Sequence, residues 1–255
     1  MNKIRQISIG LFFLSISQIS PTQAREINYA NDKYGYLYNN SCQFEYVDIN
    51  SQATTLTLTA SGLADAGDDG GSVINLLADF QFYDKTYNAI VVSSNGYIAF
   101  ADSLNQESGG DFSNDCLLPS VPDTPPVSLA RILPLHDELE KSATGIIQTA
   151  FYSQCPRTTG QALQACTIIE WVDWKIRNQI EVFSFQVILY HQSADIVFQY
   201  NTPTPINITS ASIGIQNQYH ASIYACNDTA RTLANCVENT SPTNINPSIF
   251  KNGFE

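Results

Sequence analysis

The sequence predicts an all-β protein, mainly antiparallel and sandwich-like, with at most one or two short helices and with stabilising disulfide bonds. Three observations predict this fold class. Short runs with strand periodicity follow one another along the chain, turn-forming residues separate these runs, and all six cysteines lie beyond an N-terminal segment typical of export. Repeated short strands with turn signals between them are typical of a sandwich or a barrel.

The first half of the chain contains several of these runs. Residues 54–59 alternate polar and apolar side chains, which is the period of a half-buried strand. Residues 73–83 form a longer, mostly apolar run. Another run, at residues 87–92, ends just before the dipeptide Asn95-Gly96, and a further short run follows it. Because both residues of this dipeptide tolerate positive φ, the pattern predicts a tight β-hairpin.

Five more strand-like runs follow in the second half, at residues 145–152, 167–174, 182–190, 195–200 and 211–216. The third and fourth of them are separated only by the short link His191–Ala194, so they predict another hairpin. Beyond the N-terminal segment, no stretch keeps the apolar period of a helix over three turns. The one candidate for a short helix is residues 134–141.

Residues 1–24 have the pattern of a secretory signal peptide. Lys3 and Arg5 supply a positive start, an apolar stretch follows at residues 7–19, and the small residue Ala24 precedes the expected cleavage site. A retained membrane anchor is the alternative. However, the apolar stretch is short and interrupted by Ser and Gln, whereas a membrane span needs about 20 apolar residues. We therefore expect export.

The mature chain is expected to form a single β domain at residues 25–236, followed by an extended tail at residues 237–255. No apolar run in it is long enough to span a membrane. The tail ends in Ile249–Glu255 (IFKNGFE), which is similar to endings of exported proteins in some Gram-negative bacteria; a sorting role and an ordinary frayed end both stay open. The expected location is secreted, extracellular or periplasmic, in a Gram-negative bacterium.

The composition is acidic, with 24 Asp and Glu residues against 12 Lys and Arg and a formal net charge of -12. Such a surface repels nucleic acid and anionic lipid, so nucleic acid is not expected as a partner. An acidic surface is compatible with cation binding, although solubility is the simpler cause.

The cysteines of an exported chain predict disulfide bonds, and here they are Cys42, Cys116, Cys155, Cys166, Cys226 and Cys236. Six cysteines allow 15 pairings. Short separations favour Cys155–Cys166 and Cys226–Cys236, which leaves Cys42–Cys116 as a long-range bridge. A metal site is disfavoured because the chain has no CxxC pair and no histidine at ligand spacing.

Seven short motifs follow one another in the order Phe80–Tyr83 (FQFY), Val92–Phe100 (VSSNGYIAF), Leu133–Leu139 (LPLHDEL), Gly145–Tyr152 (GIIQTAFY), Ile169–Trp171 (IEW), Phe185–Leu189 (FQVIL) and Ile196–Tyr200 (IVFQY). This order resembles the nidogen-like (NIDO) extracellular domain and its relatives in bacterial secreted and surface proteins, over about residues 63–225. The resemblance implies an extracellular binding or structural role without catalysis. One segment departs from the family pattern: Pro134–Glu138 lacks the usual Trp and the second Asp.

The acidic loop Asp65–Gly71 is a candidate calcium site, with Asp65, Asp68 and Asp69 as the expected ligands. Hard cations bind several oxygen ligands, and glycines let backbone carbonyls turn inward. The loop is not an EF-hand, and the alternative is a solvated turn in which Asp and Gly provide backbone freedom. No cofactor is expected, although calcium binding at this loop stays open.

Two further groups are candidate binding or catalytic residues. Asp137 and Glu138 lie beside His136, and paired carboxylates are able to act as acid and base when their pKa values differ. No recognised catalytic motif accompanies them. Trp171 and Trp174 are an odd number of residues apart, so a regular strand would place them on opposite faces. At least one would then be exposed as an anchor for a ligand.

Three functions are compatible with these observations. The first is a non-enzymatic extracellular binding or adhesion module, with an extracellular protein or a glycan as its ligand. The second is a secreted hydrolase that uses the acidic cluster around Asp137. The third is a structural accessory domain of a secreted system. The first is preferred, so the protein is not expected to be an enzyme.

Overall fold

The computed structural model describes residues 36–62, 65–101, 107–113, 128–160, 163–202, 208–228 and 233–241. These residues form fourteen β-strands, all paired antiparallel, and no helix, which confirms the predicted fold class. The helix considered for residues 134–141 is wrong, because this stretch forms the end of one strand, a tight turn and the start of the next strand. Within the described ranges, no helix is long and apolar enough to cross a membrane.

The first sheet contains seven strands, in the spatial order β1 (Leu37–Asn39), β14 (Cys236–Thr240), β11 (Ile196–Asn201), β10 (Phe183–Tyr190), β9 (Cys166–Ile176), β8 (Leu139–Tyr152) and β2 (Thr54–Thr55). The second sheet also contains seven, in the order β13 (Ala221–Cys226), β12 (Ser212–Gln216), β7 (Arg131–His136), β6 (Ile98–Ala99), β5 (Lys85–Ser93), β4 (Gly70–Phe82) and β3 (Thr59–Ala60). The two sheets therefore form a sandwich around one main core.

Large aromatic side chains from both sheets fill this core. Trp171 on β9 stacks on Phe185 on β10, with ring centroids 4.8 Å apart. From the other sheet, Phe82 stacks on Phe100 at 4.2 Å. Trp171 also donates its indole N–H to the carbonyl of Ser93 at 2.9 Å, which joins the two sheets by a buried hydrogen bond. All four rings are at most 4 % exposed, and burial of such rings is a main source of stability.

The outer face of the first sheet is covered by residues 42–50. Two buried glutamines that face each other across β10 and β11, Gln186 and Gln199, hold this segment. The Gln199 amide accepts the N–H of Glu45 and donates to its carbonyl, both at 2.7 Å. Gln186 does the same with Val47, at 3.0 and 3.1 Å. The side-chain amides therefore replace the ladder of a neighbouring strand.

Two disulfide bonds join described cysteines. Cys155–Cys166, with Cα atoms 5.3 Å apart, confirms the predicted short loop. Cys42 pairs with Cys236, at a Cα distance of 5.5 Å, so the predicted pairs Cys226–Cys236 and Cys42–Cys116 are wrong. Cys226 and Cys236 are close in sequence, but they belong to strands of different sheets. Cys226 is also disulfide-bonded, and Cys116 lies outside the described ranges.

Two stretches differ from the predicted strand pattern. Residues 54–59 do not form one strand: Thr54–Thr55 pairs with β8, whereas Thr59–Ala60 pairs with β4 in the other sheet. The chain crosses between the sheets here and closes one side of the sandwich. The predicted tail began at residue 237, but residues up to Thr240 belong to β14, which is an inner strand of its sheet.

The hairpin predicted at Asn95-Gly96 is confirmed, although the two residues have different roles. Only Gly96 has positive φ, at +70°. The Asn95 side chain instead accepts the N–H of Leu139 at 3.0 Å and donates to Asp69 at 2.8 Å. A Cβ on Gly96 would lie 2.0 Å from the carbonyl oxygen of Leu135. The turn therefore requires glycine for both its dihedral angle and its close approach to β7.

The substitution Gly96→Ala tests this double requirement, with Gly62→Ala as its control. Gly62 also has positive φ, at +61°, but a Cβ there meets nothing within 4 Å. We expect Gly62→Ala to lower the free energy of unfolding by roughly 1–2 kcal/mol, the cost of the left-handed conformation. Gly96→Ala should cost at least about 3 kcal/mol, because the clash with backbone is added. Equal losses in denaturant unfolding would contradict the close approach.

Candidate functional site

Two predicted acidic groups, seventy residues apart in sequence, meet at one end of the sandwich. Asp68, in the predicted calcium loop, and Glu138, in the predicted carboxylate cluster, both contact Arg177, at 3.4 and 2.5 Å. The backbone N–H of Lys141 donates to the carbonyl of Gly67 at 2.9 Å and joins the two segments. We call this region the acidic end. Its carboxylates are partly neutralised by cationic side chains.

Each aspartate of the predicted calcium loop has a role within the fold. Asp65 accepts the N–H of Gly67 at 2.7 Å, and Asp69 accepts the Asn95 amide. Burial raises the pKa of Asp68, although the opposing charge of Arg177 lowers it. In the part of the chain that the structure describes, no three His, Cys, Asp or Glu side chains are grouped to hold a metal ion. The geometry is that of a turn, and calcium binding stays an untested alternative.

The predicted carboxylate cluster is divided among several contacts. Asp137 is buried and accepts the N–H of Glu138 at 2.8 Å and the hydroxyl of Ser210 at 2.7 Å. His136 contacts a different segment, because its Nε2 donates to the carbonyl of Asp111 at 3.1 Å. Glu138 is directed to Arg177. The three neighbours in sequence thus have three separate partners, and the hydrolase hypothesis gains no support from their arrangement.

Both tryptophans are completely buried, so the prediction that at least one is exposed is wrong. The reason is an irregularity in β9 at Asp173, which has positive φ of 55°. The pairing of β9 with both of its neighbours shifts register in this region. The alternation of side chains between the two faces of β9 is interrupted at this irregularity, so Trp171 and Trp174 both point into the core. The Trp174 indole donates to the carbonyl of Ile146 at 2.9 Å.

A buried charged cluster, which the sequence analysis did not identify, covers the outer face of the second sheet. Arg131 contacts Glu107 at 2.9 Å and Asp111 at 2.5 Å, and its guanidinium lies 4.3 Å from the ring centre of Tyr97. Burial alone would raise the pKa of Asp111, but Arg131 and His136 hold it below its usual value. The cluster fixes residues 107–113 against β6 and β7. No sequence pattern linked Arg131 with carboxylates in a loop.

At the opposite end of β5 from the acidic end, the structure contains a cleft of about 370 Å³. We call it the aromatic cleft. Four separate parts of the chain line it: the β4–β5 turn with its flanking strands, Phe100 after β6, residues 128–130 before β7, and the β12–β13 turn. Its aromatic residues are Phe82, Tyr83, Tyr87, Phe100 and Tyr219.

Polar groups lie among these aromatic residues. Asp84 and Lys85 are exposed on the β4–β5 turn, and Asn217 and Gln218 stand on the β12–β13 turn. Burial raises the pKa of Tyr87, and the negative charge of Asp84 raises it further. Concave sites that combine aromatic walls with a few polar groups are typical of small-molecule binding, at volumes of about 300–1,000 Å³. The aromatic cleft has this composition and size.

A smaller cleft of about 250 Å³ lies between β4 and β8. His191 packs against Phe151 at its border and connects the two sheets. Its Nδ1 donates to the carbonyl of Asp79 at 3.1 Å, and its Nε2 accepts the hydroxyl of Thr167 at 2.8 Å. Burial lowers the pKa of His191. The imidazole of His191 thus joins β4 to β9 in its neutral form, because one ring nitrogen donates a hydrogen bond and the other accepts one.

The comparison with protein families gives one match. A family model described as NIDO related matches residues 35–252 and includes all fourteen strands. The match extends beyond both ends of the region expected from the short motifs. No curated protein and no solved structure matches the chain.

We expect the melting temperature to be the same in millimolar calcium as in excess chelator, because one oxygen of each of Asp65, Asp68 and Asp69 is already paired within the fold and, among the described residues, the three carboxylates are not grouped around one point. Thermal unfolding monitored by circular dichroism measures this. An ion present at 100 times its dissociation constant would stabilise the fold by about 2.7 kcal/mol, a shift of several degrees. Such a shift, lost in Asp68→Asn and Asp69→Asn, would contradict the prediction.

Acidification should destabilise the protein through two histidines. Burial lowers the pKa of His136 and His191 below the ordinary value of about 6.5. The unfolded chain therefore takes up protons first, so the free energy of unfolding is highest above about pH 6.5 and decreases as the pH falls toward the folded-state pKa values. For His136, the contribution to the slope of the free energy of unfolding against pH is at most about 1.4 kcal/mol per pH unit, which is the limit for the uptake of one proton.

Denaturant unfolding between about pH 7.5 and pH 5 tests this dependence. His136→Gln and His191→Gln replace each ring by an amide that does not titrate. Each variant should have a shallower pH slope than the wild type, and the double variant the shallowest. Slopes equal to that of the wild type in both single variants would assign the dependence to other groups.

Proposed function

Because the chain belongs to the NIDO-related family, we propose that it works outside the cytoplasm as a binding module rather than as an enzyme. The family and the disulfide bonds are consistent with an extracellular domain, since structural disulfides persist in oxidising compartments. The signal-peptide pattern at residues 1–24 supports export, and the ending IFKNGFE supports a Gram-negative source. The proposed location is therefore the periplasm or the cell exterior.

The observation that carries the binding role is the aromatic cleft. It is built on turns at the end of a rigid sandwich, the usual position of a recognition site. Its floor is fixed, because Phe82 and Phe100 stack on each other within the core. Its rim carries exposed groups such as Tyr219, which is 71 % exposed. A rigid floor with an accessible polar rim binds a ligand without a large ordering cost.

The carboxylates considered for catalysis support the same conclusion. Both carboxylate oxygens of Asp137 accept hydrogen bonds that stabilise the β7–β8 turn, and Glu138 is paired with Arg177. A general acid or base must reach a substrate proton within hydrogen-bond distance. These groups are instead directed toward neighbouring parts of the fold. We therefore assign them to the stability of the acidic end.

Binding of the purified exported protein to arrays of extracellular matrix proteins and glycans tests the proposal. We expect at least one saturable interaction that Tyr219→Ala, in the aromatic cleft, weakens by about tenfold or more. The control Ile180→Ala removes a side chain that is 88 % exposed at the acidic end and should leave binding unchanged. Absence of binding on every array, or equal effects of the two variants, would contradict the proposed role.

A further inference from the structure

We propose that the aromatic cleft binds a neutral sugar, an inference that rests on the binding function proposed above. A pyranose ring has faces of C–H groups and a rim of hydroxyl groups. Its faces pack against aromatic rings, whose electron-rich faces attract the C–H hydrogens, and its hydroxyls need donors and acceptors around the ring. The aromatic cleft provides both kinds of surface side by side.

The aromatic wall of the cleft is rigid. Tyr87 packs against Phe100 with centroids 4.7 Å apart and planes at 37°, and Phe100 stacks in turn on Phe82. Tyr87 is half-buried, so one part of its ring is held by the core while the rest borders the cleft. A ring fixed in this way loses little conformational freedom when a ligand stacks on it.

Tyr83 has an unusual backbone conformation at the inner wall. Its φ is +53°, which is rare for a residue with a bulky side chain. Edge-to-face contacts with Phe82, at 4.7 Å, and with Tyr36, at 5.1 Å, fix the ring despite this cost. Tyr83 and Asp84 are the two central residues of the β4–β5 hairpin, and tight hairpin turns of this length use positive φ. Here the strained turn places Tyr83 and the adjacent Asp84 at the cleft.

The exposed aromatic residue at the rim is also positioned in advance. Tyr219 lies on the β12–β13 turn, where the Asn217 side chain accepts the N–H groups of Tyr219 and His220, both at 2.8 Å. The backbone N–H of Asn217 donates to the carbonyl of His220 at 2.9 Å and closes the turn. An exposed tyrosine on an ordered turn is a suitable platform for a ring that enters from solvent.

The charge and the shape of the cleft favour a neutral sugar over other ligands. The chain has a net charge of -12, and the exposed pair Asp84 and Lys85 gives the cleft no excess of positive charge, so anionic ligands such as nucleotides are disfavoured. A purely apolar ligand would cover the carboxylate of Asp84 and the amide of Gln218 without giving them partners, which is costly. An extended peptide that adds to a sheet needs a strand edge, whereas this cleft is lined largely by turns and a loop.

Saturation-transfer NMR and calorimetry on the purified exported protein test the inference. The probes are neutral oligosaccharides of glucose, galactose, mannose and N-acetylglucosamine, with sialyllactose and a heparin oligosaccharide as anionic comparisons. We expect binding of at least one neutral probe and none of the anionic ones. Tyr219→Ala removes a stacking ring, and Asp84→Asn replaces a charged hydrogen-bond acceptor by a weaker neutral one, so each should weaken binding about tenfold or more.

Two controls match these variants at the other end of the sandwich. Ile180→Ala removes an exposed apolar side chain, and Glu181→Gln removes an exposed charge, both in the β9–β10 turn. We expect neither control to change sugar affinity. All four variants should keep the wild-type melting temperature, because the four side chains are exposed.

Binding of a neutral probe that responds to the two cleft variants and not to the controls supports the inference. Equal affinity in wild type and in both cleft variants overturns it, as does a lack of binding to every neutral probe. If sugars do not bind while an array protein binds in a manner that depends on Tyr219, the sugar inference fails and the binding function stands. If nothing binds on any array, both fail.

Discussion

The constraint on which this structure depends is that the outer faces of the sandwich need a cover. Buried backbone groups must have hydrogen-bond partners, and an irregular segment on a sheet face has no strand ladder to supply them. Side chains of the sheets supply them here: Gln186 and Gln199 bind residues 42–50 on one face. On the other face, Arg131 holds two carboxylates of residues 107–113. The Cys42–Cys236 disulfide ties the first of these segments at its start.

This way of covering the faces leaves the two ends of the sandwich with different properties. At the acidic end, charged and polar side chains are directed to one another, as when Arg177 joins Asp68 and Glu138. At the other end, turns from different parts of the chain surround an open cleft with Tyr219 at its rim. Because the core side chains of both sheets are buried, the exposed side chains on these turns, such as Asp84 and Tyr219, are not needed to hold the sheets together. They are therefore available for recognition.

Local pattern predicted the features that depend on neighbouring residues. Alternation along β10 and β11 and the turn residues between them correctly predicted a hairpin, and Asn95-Gly96 predicted another. The failures have tertiary causes. The irregular backbone at Asp173 moved an expected exposed tryptophan into the core, and the change of sheet between Cys226 and Cys236 separated two sequence neighbours.

Strand β7 and the aromatic cleft show the same limit of sequence reasoning. Every residue of β7 is buried, because the main core covers one face and residues 107–113 contact the other, so no alternation of polar and apolar residues marks it.

The cleft combines the β4–β5 turn with the β12–β13 turn, which are more than a hundred residues apart. The motif FQFY contained one available signal, since its Tyr83 is a large aromatic residue placed just before the polar pair Asp84-Lys85. Only the pairing of the strands showed that the β12–β13 turn lines the same cleft as Tyr83.

The cleft has a floor and a rim that contribute differently to the stability of the fold. Its floor residues, Phe82 and Phe100, belong to the core, so replacing them would cost stability as well as affinity. Its rim residues, Asp84 and Tyr219, are exposed and contribute little to folding. Under the proposed function, ligand preference is therefore able to vary through the rim while the sandwich stays intact, because function resides in a site carried by the fold and not in the fold itself.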